Sequence, residues 1–157
     1  MAIREIRMVP DPILDRVCEE VIHGTDVSHI VKDLKDTLSA SVRKGVGLSA
    51  NQIGYSVRIF IVDYKGQKLT LINPRIVPKS AKYPFMEESC LSVDPSIEVP
   101  ISRPSRIIAE YYGEDWLPRR FKFDGFMARI IQHENDHLNG LTITGDRRDG
   151  IQKSKSK

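Results

Sequence analysis

The chain has 157 residues, 40% of them hydrophobic and 29% charged, which suits one compact domain with its own core and leaves little length for a second. Its formal net charge of +3 comes without a basic patch interleaved with aromatics, so composition does not point to nucleic acid. Met1 to Arg7 alternates charged and apolar residues, no stretch reaches membrane-spanning length, and Cys18 and Cys90 are too few for a disulfide framework, so a soluble, cytoplasmic protein is expected.

In chain order, Pro10 and Pro12 flank Asp11, a helix cap. The spacing after it predicts a short helix from Ile13 to Val21, with Ile13, Leu14, Val17 and Val21 inward and Cys18 a small buried hydrophobe. A second helix is expected after Thr25 or Asp26, where Val27, Ile30, Val31, Leu34, Leu38, Ser41 and Val42 keep helical spacing up to Gly45. His29 lies off that apolar stripe and His23 precedes it in a loop, so neither is read as a ligand. Gly45 to Gly54 lacks the Lys-Ser/Thr ending and the preceding strand of a phosphate loop, and reads as a tight loop against a binding cleft. The period then changes: 57–62, 69–72, 76–78, 106–112 and 116–123 read as strands, mostly antiparallel. The class that follows is α+β, with antiparallel or mixed β-sheets packed around a central C-terminal metal-binding helix and two N-terminal helices.

That late helix carries the chemistry. Phe126, Met127, Ile130, Ile131 and Leu138 recur at threes and fours between a cap at Asp124 and a stop at Gly140, while Arg129, Gln132, Asn135, Asp136 and Asn139 fill the opposite arc. His133 and His137 stand four residues apart and so project from one face within reach of a single ion. Glu134 falls on the apolar side, where an idle carboxylate is costly to bury, and is read as a proton-handling base. Two ligands leave a tetrahedral catalytic site one protein donor short. Cys90, in Glu87-Glu88-Ser89-Cys90-Leu91-Ser92, is the candidate third ligand, with a structural thiol as the other reading.

Three stretches together resemble the peptide deformylases. Gly45-Val46-Gly47-Leu48-Ser49-Ala50-Asn51-Gln52-Ile53-Gly54, Glu88-Ser89-Cys90-Leu91-Ser92 and Gln132-His133-Glu134-Asn135-Asp136-His137-Leu138-Asn139-Gly140 follow that family's three signatures in order. The similarity runs from about Ile3 to about Arg147 and includes the opening at Pro10 to Leu14. It implies a metal-dependent hydrolase that removes the N-formyl group from the initiator methionine of nascent polypeptides. By resemblance the metal ligands are Cys90, His133 and His137, and the ion is Fe2+, with Zn2+, Ni2+ or Co2+ able to occupy the same donors. Glu134 is then the general base, and the Gln52 side-chain amide and the Leu91 N–H donate to the developing oxyanion. Gly47 holds the peptide backbone, and Val46, Met86, Phe126 and Ile130 line the methionine pocket, although core packing is an equal reading for Phe126 and Ile130.

Some positions depart from the pattern. Ser49 and Asn51 stand where alanine and then proline or threonine are usual, and Ser89 replaces the glycine before the cysteine. If position 89 requires a positive φ, serine costs on the order of 1 kcal/mol there. Arg103 is expected either on the peptide backbone or in solvent. Only eleven residues follow Asp146, so the long terminal helix through which many bacterial members touch the ribosome is expected to be absent, which leaves ribosome contact open. The domain reading is a catalytic unit over 1–147 and a short basic tail over 148–157, in a monomer of the cytoplasm, a host's cytoplasm if the source is viral, with an organelle left open. Two competing readings are a non-catalytic metal-binding module of the same fold and a zinc peptidase, whose downstream third ligand would have to come from Asp146 or Asp149.

Overall fold

Ile59-Phe60-Ile61-Val62 is apolar at every position because the strand it forms is covered on both faces. The computed structural model describes residues 2–81 and 85–144. Its main sheet has the order β1-β2-β3-β6-β7, built from β1 (Gly47–Ser49), β2 (Ile59–Tyr64), β3 (Gln67–Pro78), β6 (Arg106–Tyr112) and β7 (Pro118–Asp124), all antiparallel. A two-stranded sheet pairs β4 (Phe85–Glu88) with β5 (Val99–Ser102). The helices are α1 (Ser28–Ala40) and α2 (Gly125–Leu138).

Successive side chains of β2 divide the core in two. Ile59 and Ile61, with Ile72 of β3, meet Ile30, Val31, Leu34 and Leu38 of α1 and Val27 just before it. Phe60 and Val62, with Leu71, Ile107 and Ala109, meet Met127, Ala128, Ile130, Ile131 and Leu138 of α2. A smaller cluster of Cys90, Val93, Ile101 and Ile143 seats the segment after β4.

The α+β class and the antiparallel pairing agree with the sequence reading, but the first helix does not. Over Ile13 to Val21 only a 3-10 turn, Pro12–Asp15, forms, closed by the Asp11 side chain on the Ile13 N–H at 3.0 Å. Beyond it the backbone is drawn out by distant partners: the Cys18 N–H donates to the Leu138 carbonyl at 2.8 Å, and Glu19 pairs with Val57 in a parallel bridge. Val17, expected inward, is therefore 67% exposed, whereas Cys18 is buried as expected. α1 ends earlier than its apolar spacing suggests, because Ser41 turns to extended backbone and leaves Val42 in solvent.

The runs 69–72 and 76–78 belong to one strand, with a bulge where Asn73-Pro74 suggested a break. Asn73 has a φ of 51°, and its side-chain amide both accepts from the Val21 N–H and donates to the Val21 carbonyl. β7 begins at Pro118 rather than Trp116, which sits at φ 60° in the preceding turn. The basic tail over 148–157, the 147/148 boundary, and Asp146 and Asp149 lie outside the described residues.

Candidate active site

The last turns of α2 lie against β1 and the segment following β4, which brings all three sequence motifs to one place. His133 and His137 project from the same helix face with ring centroids 5.1 Å apart. Cys90 faces them, its Sγ 3.3 Å from His137 Nε2, and one donor atom from each of the three residues lies within 4.8 Å of the others. Tetrahedral coordination by sulfur and imidazole nitrogen needs donor separations of about 3.5 Å. A thiolate and two imidazoles at this spacing fit a divalent ion of the zinc or ferrous type.

Charge supports the same conclusion. Burial alone would push the Cys90 thiol up, but the neighbouring His137 and His133 rings outweigh it and hold the thiol well below its ordinary range. His133 is shifted the other way: burial alone would lower it, but the hydrogen bonds its ring donates to Cys90 and Glu88 overcome burial and favour its protonated form. These are the directions expected of a thiol and an imidazole placed to share a positive charge.

His133 is oriented from behind. Its Nδ1 meets Glu88 Oε1 at 2.9 Å, which leaves Nε2 for the centre, as carboxylate-buttressed metal histidines require. Glu88 is buried and receives a bidentate grip from Arg103 at 2.6 and 2.9 Å, together with a short bond from Arg129 Nη1. Burial would raise the Glu88 carboxyl, yet Arg103 and His133 hold it far below the usual carboxylate range. Arg103 also reaches Asp136 at 2.8 Å and is 4% exposed. It is therefore not in solvent, its guanidinium engaged by Glu88 and Asp136, and Arg129 is buried at the site rather than on a polar arc. The only sequence signal for this buttress was Glu88 standing two residues before Cys90, since its partners come from the residue after β5 and from α2.

Glu134 is 4% exposed, and its Oε1 has no hydrogen-bond partner among the described residues. Burial pushes its carboxyl up to about 6, against the opposing charges of His133 and His137. Gly47 lies directly over it: a Cβ at position 47 would come within 2.8 Å of Glu134 Oε2. From the same glycine loop, Gln52 turns its Nε2 toward Ser92 Oγ at 2.9 Å and Cys90 Sγ at 3.7 Å. The Leu91 N–H has no protein acceptor among the described residues. These groups open onto a cavity of about 250 Å³ lined also by Val46, Phe126, Ile130 and Ser89.

Met86 is exposed and does not line this cavity. Ser89 has no positive φ, so serine costs nothing there on that account. His23 packs against Tyr112 and Trp116, and His29 against Tyr55, both away from the centre. A larger concavity of about 550 Å³ beside α1 mixes Lys35, Lys68 and Arg119 with Asp63, Glu114 and Asp115 but holds none of the Cys/His/His donors.

A buried carboxyl set against a thiolate and two imidazoles at the floor of a cleft defines the class, a metal-dependent hydrolase. A family profile for polypeptide deformylase matches residues 3–154. A peptide deformylase of Dictyoglomus thermophilum is 40% identical over 142 residues, which are 90% of each chain. The crystal structure of the Thermotoga maritima peptide deformylase superposes with a TM-score of 0.84 at 33% identity, over 91% of this chain and 96% of that one. The deformylase of the Vibrio parahaemolyticus bacteriophage VP16T, solved in complex with actinonin, gives 0.83 at 35% identity, over 88% and 99%. The chain belongs to the peptide deformylase family, the metal-dependent hydrolases that remove the N-formyl group from nascent polypeptides.

Proposed function

We propose that Cys90, His133 and His137 hold one divalent ion, Fe2+ in the native protein, and that Glu134, Gln52 and Leu91 carry out deformylation around it. The observation that carries this reading is the buried carboxyl of Glu134, with an unpartnered oxygen, beside a Cys/His/His donor set. Zn2+, Ni2+ and Co2+ suit the same donors. An ion bound there supplies Lewis acidity and a water of lowered pKa.

The residues of the chain do the rest. Glu134 takes the proton of the attacking water and returns it to the amine nitrogen as the C–N bond breaks, and a carboxyl near 6 is matched to both transfers. The Gln52 Nε2–H and the Leu91 N–H donate to the formyl oxygen as its charge develops. β1 is an edge strand of its sheet, so a peptide main chain can add alongside Gly47. The methionine side chain then enters between Val46, Phe126 and Ile130. The substrate is the formylated N-terminus of a nascent chain, met by a monomer in the cytoplasm. A zinc peptidase and a non-catalytic module are both disfavoured by the family's activity and by this donor set.

The test is formate release from a formyl-Met tripeptide by anaerobically purified protein, with metal content measured on the same sample. Glu134→Gln is expected to keep about one ion per chain and lose roughly 10²- to 10⁴-fold in kcat, the range for a positioned general acid–base group. Activity that survives this substitution rules out Glu134 as the base.

A further inference from the structure

Ser49 and Asn51, the two departures from the usual glycine-loop pattern, are both 0% exposed. Asn51 Nδ2 donates to the main-chain carbonyl of His137 at 2.8 Å, across to the last turn of α2. That commitment turns Asn51 Oδ1 toward Ser49, whose Oγ is 2.7 Å away. An amide oxygen only accepts, so the Ser49 hydroxyl donates, and its single proton is thereby used. Its 3.0 Å approach to Gln52 Oε1 is consequently not a second hydrogen bond. Gln52 Oε1 is held instead by the Ser49 N–H at 2.9 Å, which leaves Nε2 facing Cys90 and Ser92. One continuous line of bonds thus runs from the Gln52 amide through Ser49 and Asn51 to His137.

We propose that Ser49 and Asn51 form a co-dependent pair of positioning residues that fixes the Gln52 amide relative to His137. Asn51 holds the His137 carbonyl without a buried unpaired oxygen only while something donates to its Oδ1, and Ser49 is that donor. Alanine at 49 strands a buried acceptor, and the amide gives up one partner or the other. Threonine at 51 carries no amide oxygen to strand, so alanine at 49 and threonine at 51 are compatible with each other. Each position is constrained by its neighbour, and the unusual residues belong together.

The inference rests on Gln52 acting as an oxyanion donor, and its test compares wild type, Ser49→Ala, Asn51→Thr and the double variant, each loaded with metal. Ser49→Ala is expected to lose about tenfold in kcat for formate release with KM held within about twofold, as for a misplaced transition-state donor. The double variant is expected to recover kcat above that of Ser49→Ala, a non-additivity of contacting residues. A merely structural role would lower the melting temperature and leave kcat per folded molecule unchanged. Wild-type kcat in Ser49→Ala, or losses that multiply in the double variant, would overturn the pairing. A parallel Co2+ titration, followed by thiolate absorption, reads the tether to His137 without turnover: affinity is expected to fall in Ser49→Ala. If wild type released no formate, the functional reading would fail, and equal Co2+ affinity in Ser49→Ala and wild type would still overturn the pair.

Discussion

Gly47 and Glu134 share a space that only one side chain can fill. With a Cβ at 47, the nearest atoms would be Glu134 Oε2, Cγ and Cδ at 2.8, 3.0 and 3.1 Å, so the carboxyl as a whole would have to retreat. There is little room for retreat, since Glu134 is buried on α2 among residues packed to Phe60 and Leu71. If Glu134 is the base proposed above, Gly47→Ala is expected to move its carboxyl by several tenths of an ångström and to lower kcat by about 10- to 100-fold, while the ion remains bound, because Cys90, His133 and His137 are not displaced. Single-turnover formate release with metal content measured in parallel checks this. Full activity in the alanine variant would mean that Glu134 has freedom this packing denies it. Gly140 is a similar case outside the chemistry: its φ is 75°, and a Cβ there would lie 2.6 Å from the Asp15 carbonyl oxygen, so the end of α2 is sealed by backbone from the start of the chain.

α1 contributes none of the Cys/His/His donors, yet it fastens the glycine-rich loop in place. Asp33 on α1 accepts from Arg4 Nε at 2.9 Å and from the Tyr55 hydroxyl at 2.8 Å, tying the N-terminal segment and the residue after Gly54 to one carboxylate. Burial pushes this carboxyl up, but the Tyr55 and Arg4 hydrogen bonds outweigh it and hold it below its ordinary value. A carboxyl lowered on folding stabilises above its unfolded pKa, and the gain is lost as pH falls toward the folded pKa. Asp33→Asn is thus expected to melt lower at pH 7, and the gap to wild type is expected to narrow between about pH 5 and pH 3. Melting curves across that range decide it, and a gap independent of pH would remove the ionised carboxylate from the explanation. At this scale the sequence was legible wherever an element draws on its own neighbours. Arg106 to Tyr112 reads as a mainly apolar run of strand length and forms β6 with those bounds, and His133 and His137 fall on one face because helical spacing is local. Where partners come from far away, pattern failed. Cys18 and Glu19 are extended because Leu138 and Ser56 supply their hydrogen-bond partners, and β1 is a strand because β2 pairs with it. The work of Glu88 was hidden for the same reason, since it is the pairing of β4 with β5 that brings Arg103, fifteen residues on, to it.

Across the whole molecule, the three donors join two parts of the chain that are otherwise tied by the bonds of Glu88 and Arg103 to α2. Cys90 belongs to the small cluster with Val93, Ile101 and Ile143, whereas His133 and His137 ride on the helix that packs against the main sheet. An ion bound by all three is a cross-link between those parts, and it favours the folded state by mass action. At a free ion concentration a hundredfold above Kd the gain is about 2.7 kcal/mol, which for a chain of this size is roughly 5 to 10 °C in Tm. Chelation is therefore expected to lower Tm by about that amount, and Tm is expected to climb with the logarithm of added Ni2+ or Co2+. Cys90→Ser removes the thiolate and is expected to flatten the climb, which separates binding at this centre from weak binding elsewhere. Scanning calorimetry of the stripped and reloaded protein, with and without that substitution, is the measurement. Identical melting of the two forms would mean that the ion does not bridge Cys90 to α2, and the assignment of Cys90 as third ligand would fall with it. A climb that persists in Cys90→Ser would place the stabilising ion at other donors.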